Sequence, residues 1–184
     1  MDYDEMLKEA ESSDHGQRIV KELEPALKDA LSRTTAPALE IGNREGGSGA
    51  VIIYYLDLEG RNRRFVTVDI NVAPERITRL AKNHEHFRAE QKDWVVQNKE
   101  IFGFMFLDAE HGRDPVVKDM ETLAPYLEEG GIMVVDDTND WKDIPDDFAG
   151  LKRTDYGMRD IDSGNPDHVC YWTKVQIPVQ TNGA

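Results

Sequence analysis

Apolar residues along this chain gather in short unbroken runs, and between the runs they recur at helical spacing. Ala38-Leu39-Glu40-Ile41, Phe65-Val66-Thr67-Val68-Asp69, Phe102 to Leu107 and Ile132-Met133-Val134-Val135 have strand length. A weaker third strand is predicted from Phe87 to about Gln91. Ile19, Val20, Leu23, Leu27 and Leu31 are spaced for a helix reaching about Arg33, preceded by a charged surface helix over residues 2–13. Ala50 to Leu58 continues as a helix rich in β-branched residues, whose poor intrinsic propensity requires tertiary support. Pro74 opens another helix with Ile77, Leu80 and Ala81 on its apolar face, since proline in a first turn forfeits no helical hydrogen bond. Val116, Met120, Leu123 and Leu127 mark a helix from Val116 to Leu127. Apolar strands alternating with helices indicate a parallel sheet covered on both faces. Leu151 to Tyr156 and His168 to Ile177 read as two antiparallel strands joined by a Gly/Asp/Asn-rich loop.

Nothing marks an internal boundary, so residues 1–184 are read as a single domain, with a helical segment over 1–33 and a disordered tail over 178–184. Composition then narrows the partners. The formal charge is −14, with 36 acids against 22 bases, which argues against nucleic acid and against an anionic membrane surface. Arg61, Arg63 and Arg64 are read as a solvated basic loop. Cys170 is the single cysteine, suited to a reducing compartment and read as a small buried hydrophobe. No signal peptide and no apolar run of membrane-spanning length is apparent, so a cytoplasmic location is expected.

The candidate chemistry sits where strands end. The first strand runs into Gly42-Asn43-Arg44-Glu45-Gly46-Gly47-Ser48, a glycine-rich turn leading into a helix. Such a turn presents free backbone N–H groups and the positive end of a helix to a carboxylate or phosphate. It is not a dinucleotide fingerprint: G-x-G-x-x-G starting at Gly42 would need glycine where Arg44 stands. Glu40, Asp69 and Asp108 each close a strand, and Asp136-Asp137 closes another. In an open parallel sheet, ligands bind beyond the carboxyl ends of the strands. Singly, each acid is equally an ordinary turn former or helix cap. Together their repulsion calls for a cation or a polar ligand.

Two regions resemble the class I S-adenosylmethionine (SAM)-dependent methyltransferases, in particular the macrocin O-methyltransferase and cephalosporin-hydroxylase-like branch. One is the glycine turn with its Gly46-Gly47-Ser48 ending. The other is Phe106-Leu107-Asp108-Ala109-Glu110-His111 followed by Gly130-Gly131-Ile132-Met133-Val134-Val135-Asp136-Asp137. The resemblance implies a doubly wound, mostly parallel, seven-stranded Rossmann-like sheet with an antiparallel C-terminal strand. It implies SAM bound by Glu40, Gly42, Gly46, Gly47, Ser48, Asp69, Asp93, Trp94 and Asp108. In it, Asp69 accepts the ribose hydroxyls and Glu40 steadies the turn and the cofactor's amino group. Asp93 lies near the adenine amine, and Trp94 either walls the adenine or packs in the core.

The same resemblance implies a divalent metal, Mg²⁺, held by Asp108, Asp136 and Asp137, whose hard oxygens suit that ion. Glu110 and His111 are then the candidate general bases for an acceptor hydroxyl, with helix capping as their alternative role. Trp141 is a candidate substrate wall in a polar lip from Thr138 to Asp146, and His15 a candidate lid residue. The expected activity is Mg-assisted O-methylation of a small hydroxylated molecule. The chain is short for this branch, so the acceptor site is either open or completed by another subunit of a homodimer. Two other readings compete: a methyltransferase-fold binding or assembly module without turnover, and a nucleotide-binding oxidoreductase.

Overall fold

A computed structural model describes residues 2–11, 23–60, 62–109, 112–136, 144, 147–156 and 169–175, with backbone alone at 147, 154–156 and 169–171. Strand β1, Ala38–Ile41, is buried along its whole length because it lies at the centre of the sheet. It pairs in parallel with β2 (Phe65–Asp69) on one side and β4 (Phe102–Leu107) on the other. Outward from these lie β3 (His84–Arg88) beside β2 and β5 (Leu127–Val135) beside β4, both parallel. Antiparallel strands complete the far side: β8 (Val169–Lys174) against β5, then β7 (Leu151–Tyr156), then the two-residue β6 (Asp147–Phe148). The order is β3-β2-β1-β4-β5-β8-β7-β6. Strand order reverses between β1 and β4, the position at which open α/β sheets bind ligands.

Alternation along the strands builds two cores. Ala38, Phe65, Phe104, Phe106, Ile132 and Val134 face one layer; Leu39, Ile41, Val66, Met105, Leu107, Met133 and Val135 face the other. The first layer is covered by α1 (Tyr3–Glu11), α2 (Glu24–Ser32) and α3 (Gly47–Leu58). The α3 helix is buried from Gly47 through Ile53, held between the sheet and α1. That burial supplies what its β-branched composition lacks in propensity. The N-terminal helix is therefore more than a surface helix: Met6 and Ala10 are buried, and Tyr3 meets Tyr54 edge-on at 5.7 Å. The second layer is covered by α5 (Gln91–Gln97) and α6 (Arg113–Leu123). A short helix α4 (Glu75–Leu80) follows β2 and buries Ile77.

Several boundaries differ from the sequence reading. The third strand lies earlier, at His84–Arg88, and Gln91 instead begins α5. An edge strand buries only one side, so its polar sequence carried little signal. The helix predicted to Leu127 ends at Leu123, where Pro125 forces a 3₁₀ turn over Ala124–Tyr126, and Leu127 starts β5. Among the described residues seven strands have four residues or more, and β6 adds an eighth. The basic loop is also corrected. Arg63 is buried rather than solvated, and its guanidinium binds the carbonyls of Leu31, Thr34 and Ala36 at 3.1, 3.0 and 2.7 Å. It thereby anchors the chain between the C-terminal end of α2 and the start of β1, where a helix favours positive charge.

Candidate functional site

The end of β1 is threaded between its neighbours. The Gly42 N–H donates to the Val68 carbonyl at 2.9 Å, and the Asp108 N–H donates to Ile41 at 2.9 Å. Gly42 has φ +83°, and a Cβ there would lie 2.7 Å from the Ala109 Cα, against the backbone of β4's end. Only glycine fits. The chain then turns through Gly46, φ +79°, which serves as N-cap of α3.

Asn43, Arg44 and Glu45 divide by direction. The Asn43 side chain is turned inward and buried, while Arg44 and Glu45 are exposed. The two charged side chains thus leave the inner face of the turn to the backbone. Arg44 takes the left-handed conformation (φ +40°), which costs a non-glycine residue energy.

Two carboxylates hold this turn. Glu40 is wholly buried; Ser48 Oγ donates to its Oε1 and Asn43 Nδ2 to its Oε2. Burial pushes its carboxyl up to about 7, against the lowering effect of those two hydrogen bonds and with help from the Asp69 charge. Asp69 Oδ2 accepts the backbone N–H groups of Asn43 and Arg44, each at 2.8 Å. Its Oδ1 accepts the Asn71 N–H at 2.8 Å and Asn71 Nδ2 at 3.0 Å. Burial raises the Asp69 pKa, but the donors of Asn71, Arg44 and Asn43 together outweigh it and hold the carboxyl below its ordinary range. The Asn43 Oδ1 is buried without a hydrogen-bond partner, an arrangement that native sites seldom leave unfilled.

Asp108 and Asp136 follow adjacent parallel strands. Leu107 is in register with Val135, and the Asp136 N–H donates to the Leu107 carbonyl at 3.1 Å. The backbone therefore brings Asp69, Asp108 and Asp136 to the carboxyl ends of β2, β4 and β5, whereas Glu40, expected to close its strand, lies within β1, one residue before its end. Asp93 is exposed in the first turn of α5. Trp94 is buried, its ring 6.0 Å from Phe87 and 6.1 Å from Phe102, so it is built into the second core layer. Glu110, His111, Asp137, Trp141 and His15 lie outside the described residues, as does the Cys170 side chain. Among the described residues no group of three potential metal ligands is found.

Sequence reasoning passed over several residues that the geometry brings in. Asn71 is one, although an Asn two residues after a strand-end acid is a signature of a side-chain-stabilised turn. Ile70 and Val72 flank it and are 59% and 67% exposed, apolar surface beside Asp69. Ile77, expected only on the apolar face of its helix, does more: its side chain would meet a Cβ added at Gly46 or Gly49, which couples α4 to the glycine turn.

The sheet order, the glycine turn at its reversal point and the strand-end acid on β2 define the class I SAM-dependent methyltransferase fold. A family model described as "Methyltransferase domain" matches residues 39–138, and the chain belongs to that family. Among solved structures, the chain is similar to the O-methyltransferase TomG from Streptomyces achromogenes, involved in tomaymycin synthesis and in complex with SAM. The TM-score is 0.66 and the identity 14%, covering 96% of this chain and 91% of TomG. The MycE methyltransferase of the mycinamycin biosynthetic pathway, in complex with Mg, SAH and mycinamycin VI, matches at TM-score 0.58 and 15% identity. That match covers 88% of this chain, which spans only 50% of MycE. An rRNA methylase from Streptococcus thermophilus matches at TM-score 0.57 and 12% identity, covering 84% of this chain and 95% of the methylase. At such identities these likenesses concern the fold. No curated protein sequence matches the chain. Among the described residues no helix is long and apolar enough to cross a membrane.

Proposed function

We propose that this protein transfers the methyl group of SAM to a hydroxyl of a small molecule, with a divalent cation assisting. The observation that carries the reading is the enclosure of the glycine turn by Glu40 and Asp69 at the sheet's reversal point. The residues present suit the cofactor. Asn43 Oδ1 lacks a partner, and Glu40 is a buried carboxyl whose hydrogen-bond partners among the described residues, Asn43 and Ser48, are uncharged; both suit an ammonium group. The N-terminus of α3 suits a carboxylate. Asp69 would take the ribose hydroxyls by exchanging the Asn71 Nδ2 donor, the longest of its four hydrogen bonds, and Ile70 offers apolar surface to the base.

When bound, SAM supplies an electrophilic methyl group open to in-line attack. The chain's part is to orient the acceptor oxygen behind that methyl and to remove its proton. Glu110 and His111, just beyond β4, are the residues assigned to the proton. Asp108, Asp136 and Asp137 would supply an all-oxygen donor set suited to Mg²⁺, which would lower the pKa of an acceptor hydroxyl. The net charge of −14 favours a small acceptor over RNA.

Calorimetric titration with S-adenosylhomocysteine (SAH) is the direct test. Binding with a Kd below about 100 μM, lost in Asp69→Ala, supports the reading, whereas no heat at millimolar SAH overturns it. Methyl transfer from labelled SAM across a panel of catechols, flavonoids and sugars then reports the acceptor class.

A further inference from the structure

The turn that presents Asp69 is gripped from the neighbouring edge strand. Three consecutive carbonyls of the turn each accept a hydrogen bond from β3 or the residue after it. The Ala89 N–H donates to Asp69 O at 2.9 Å, Arg88 Nε to Ile70 O at 3.1 Å, and His86 Nε2 lies 3.0 Å from Asn71 O. Parallel register places His86 beside Thr67 and Arg88 beside Asp69, which is why these side chains reach the turn.

Hydrogen-bond logic gives this grip a defined polarity. A carbonyl only accepts, so His86 Nε2 must carry the hydrogen it gives to Asn71. In the neutral ring Nδ1 is then an acceptor, and the Thr67 hydroxyl 2.9 Å away donates to it. Thr67 Oγ1, wholly buried, in turn accepts from His84 Nε2 at 2.8 Å. The order is His84 to Thr67 to His86 to the Asn71 carbonyl, while Asn71 donates through its backbone and its side chain to Asp69. His84 is suited to start it, since burial above all pulls its pKa down to about 4.

We propose that His86 and Arg88 are positioning residues that set cofactor affinity by holding the Asp69–Asn71 turn. The proposal rests on the reading that Asp69 binds the ribose of SAM. Neither side chain touches the cofactor; both act through the turn. Without them the Asn71 and Ile70 carbonyls lose these partners and the hold of Asn71 on Asp69 Oδ1 slackens, leaving Oδ2 to the Asn43 and Arg44 N–H groups.

The test exploits the two nitrogens of the ring. In His86→Gln the amide nitrogen replaces Nε2 and keeps the donor to Asn71. In His86→Asn the shorter amide reaches only the Nδ1 position and loses it. SAH affinity measured by calorimetry should stay within about twofold of wild type in His86→Gln. It should weaken roughly fivefold or more in His86→Asn and in Arg88→Leu, as expected for one lost hydrogen bond. Nitrogen-15 NMR of the wild-type imidazoles should show His86 as the Nε2–H tautomer. Equal SAH affinity in His86→Gln and His86→Asn, or an Nδ1–H tautomer, would overturn the proposal, and the tautomer is readable even if a variant fails to fold. Asp69→Ala separates the two levels. If it binds SAH as wild type does, the ribose reading fails and the grip loses its purpose. If it loses SAH while His86→Asn does not, only the grip is wrong.

Discussion

Asn43 and Asp69 lie 26 residues apart, yet the Asn43 N–H meets Asp69 Oδ2 at 2.8 Å, and the next N–H, that of Arg44, meets the same oxygen at the same distance. One carboxylate therefore fixes two successive amides of the glycine turn. Its other oxygen is held by Asn71.

Asp69→Asn keeps the shape but places an amide where four donors converge. At least one N–H then faces another donor, at a cost of about 1–3 kcal/mol. Thermal unfolding should show a Tm lower by roughly 3–10 °C for a chain of this size, and calorimetry should show SAH binding weakened by more than about tenfold. An unchanged Tm would mean that the turn is held by other means.

Glu40 gives a pH signature. Its carboxyl is raised by burial to about 7 in the fold, from an ordinary value of 4.5. Unfolding above pH 4.5 therefore releases a proton that the folded state retains, and the contribution of Glu40 to stability falls as pH rises from 4.5 through 7. Glu40→Gln removes that dependence, so the variant should gain in Tm relative to wild type between pH 5 and pH 8. A cationic amine bound beside Glu40 stabilises the carboxylate. SAH binding at pH 7 should then release protons, seen as a binding enthalpy that changes with the ionisation enthalpy of the buffer. Buffer-independent heats would place the amine elsewhere.

Gly42 and Gly60 both have positive φ, +83° and +64°, but only Gly42 is crowded, against the backbone of Asp108 and Ala109. Gly60→Ala should cost no more than the left-handed penalty of roughly 1 kcal/mol, partly offset by a stiffer unfolded chain. Gly42→Ala must also push β1 from β4, and an additional loss of about 2–3 kcal/mol is expected from the forced repacking. Urea unfolding of the two variants side by side checks the difference.

The metal reading predicts a response to cations. If Asp108, Asp136 and Asp137 share Mg²⁺, millimolar Mg²⁺ should raise the Tm progressively above its Kd. Asp136→Asn should blunt that gain and reduce methyl transfer more than SAH affinity. Stability and activity both indifferent to EDTA would assign these acids to capping and leave the reaction to Glu110 or His111.

Much of this architecture was legible along the chain. The central strands β1, β2 and β4 are apolar on both faces apart from Glu40 and Thr67, so their limits follow from the sequence. Asp69, Asp108 and the glycine turn were legible for the same reason: each sits where an apolar run stops. The edge strand β3 lies earlier than its sequence suggests, since two of its five residues are exposed, none is fully buried, and its histidines carry no periodic signal. Tertiary structure alone decided which partners the acids take. Glu40 and Asp69 look equivalent in sequence, yet one is enclosed beneath the turn with its pKa raised while the other collects four N–H donors and stays ionised. Sequence sets which residue types arrive at the end of a strand. Burial and the direction of neighbouring N–H groups depend on how strands distant in sequence come into register, and so does the charge each acid carries.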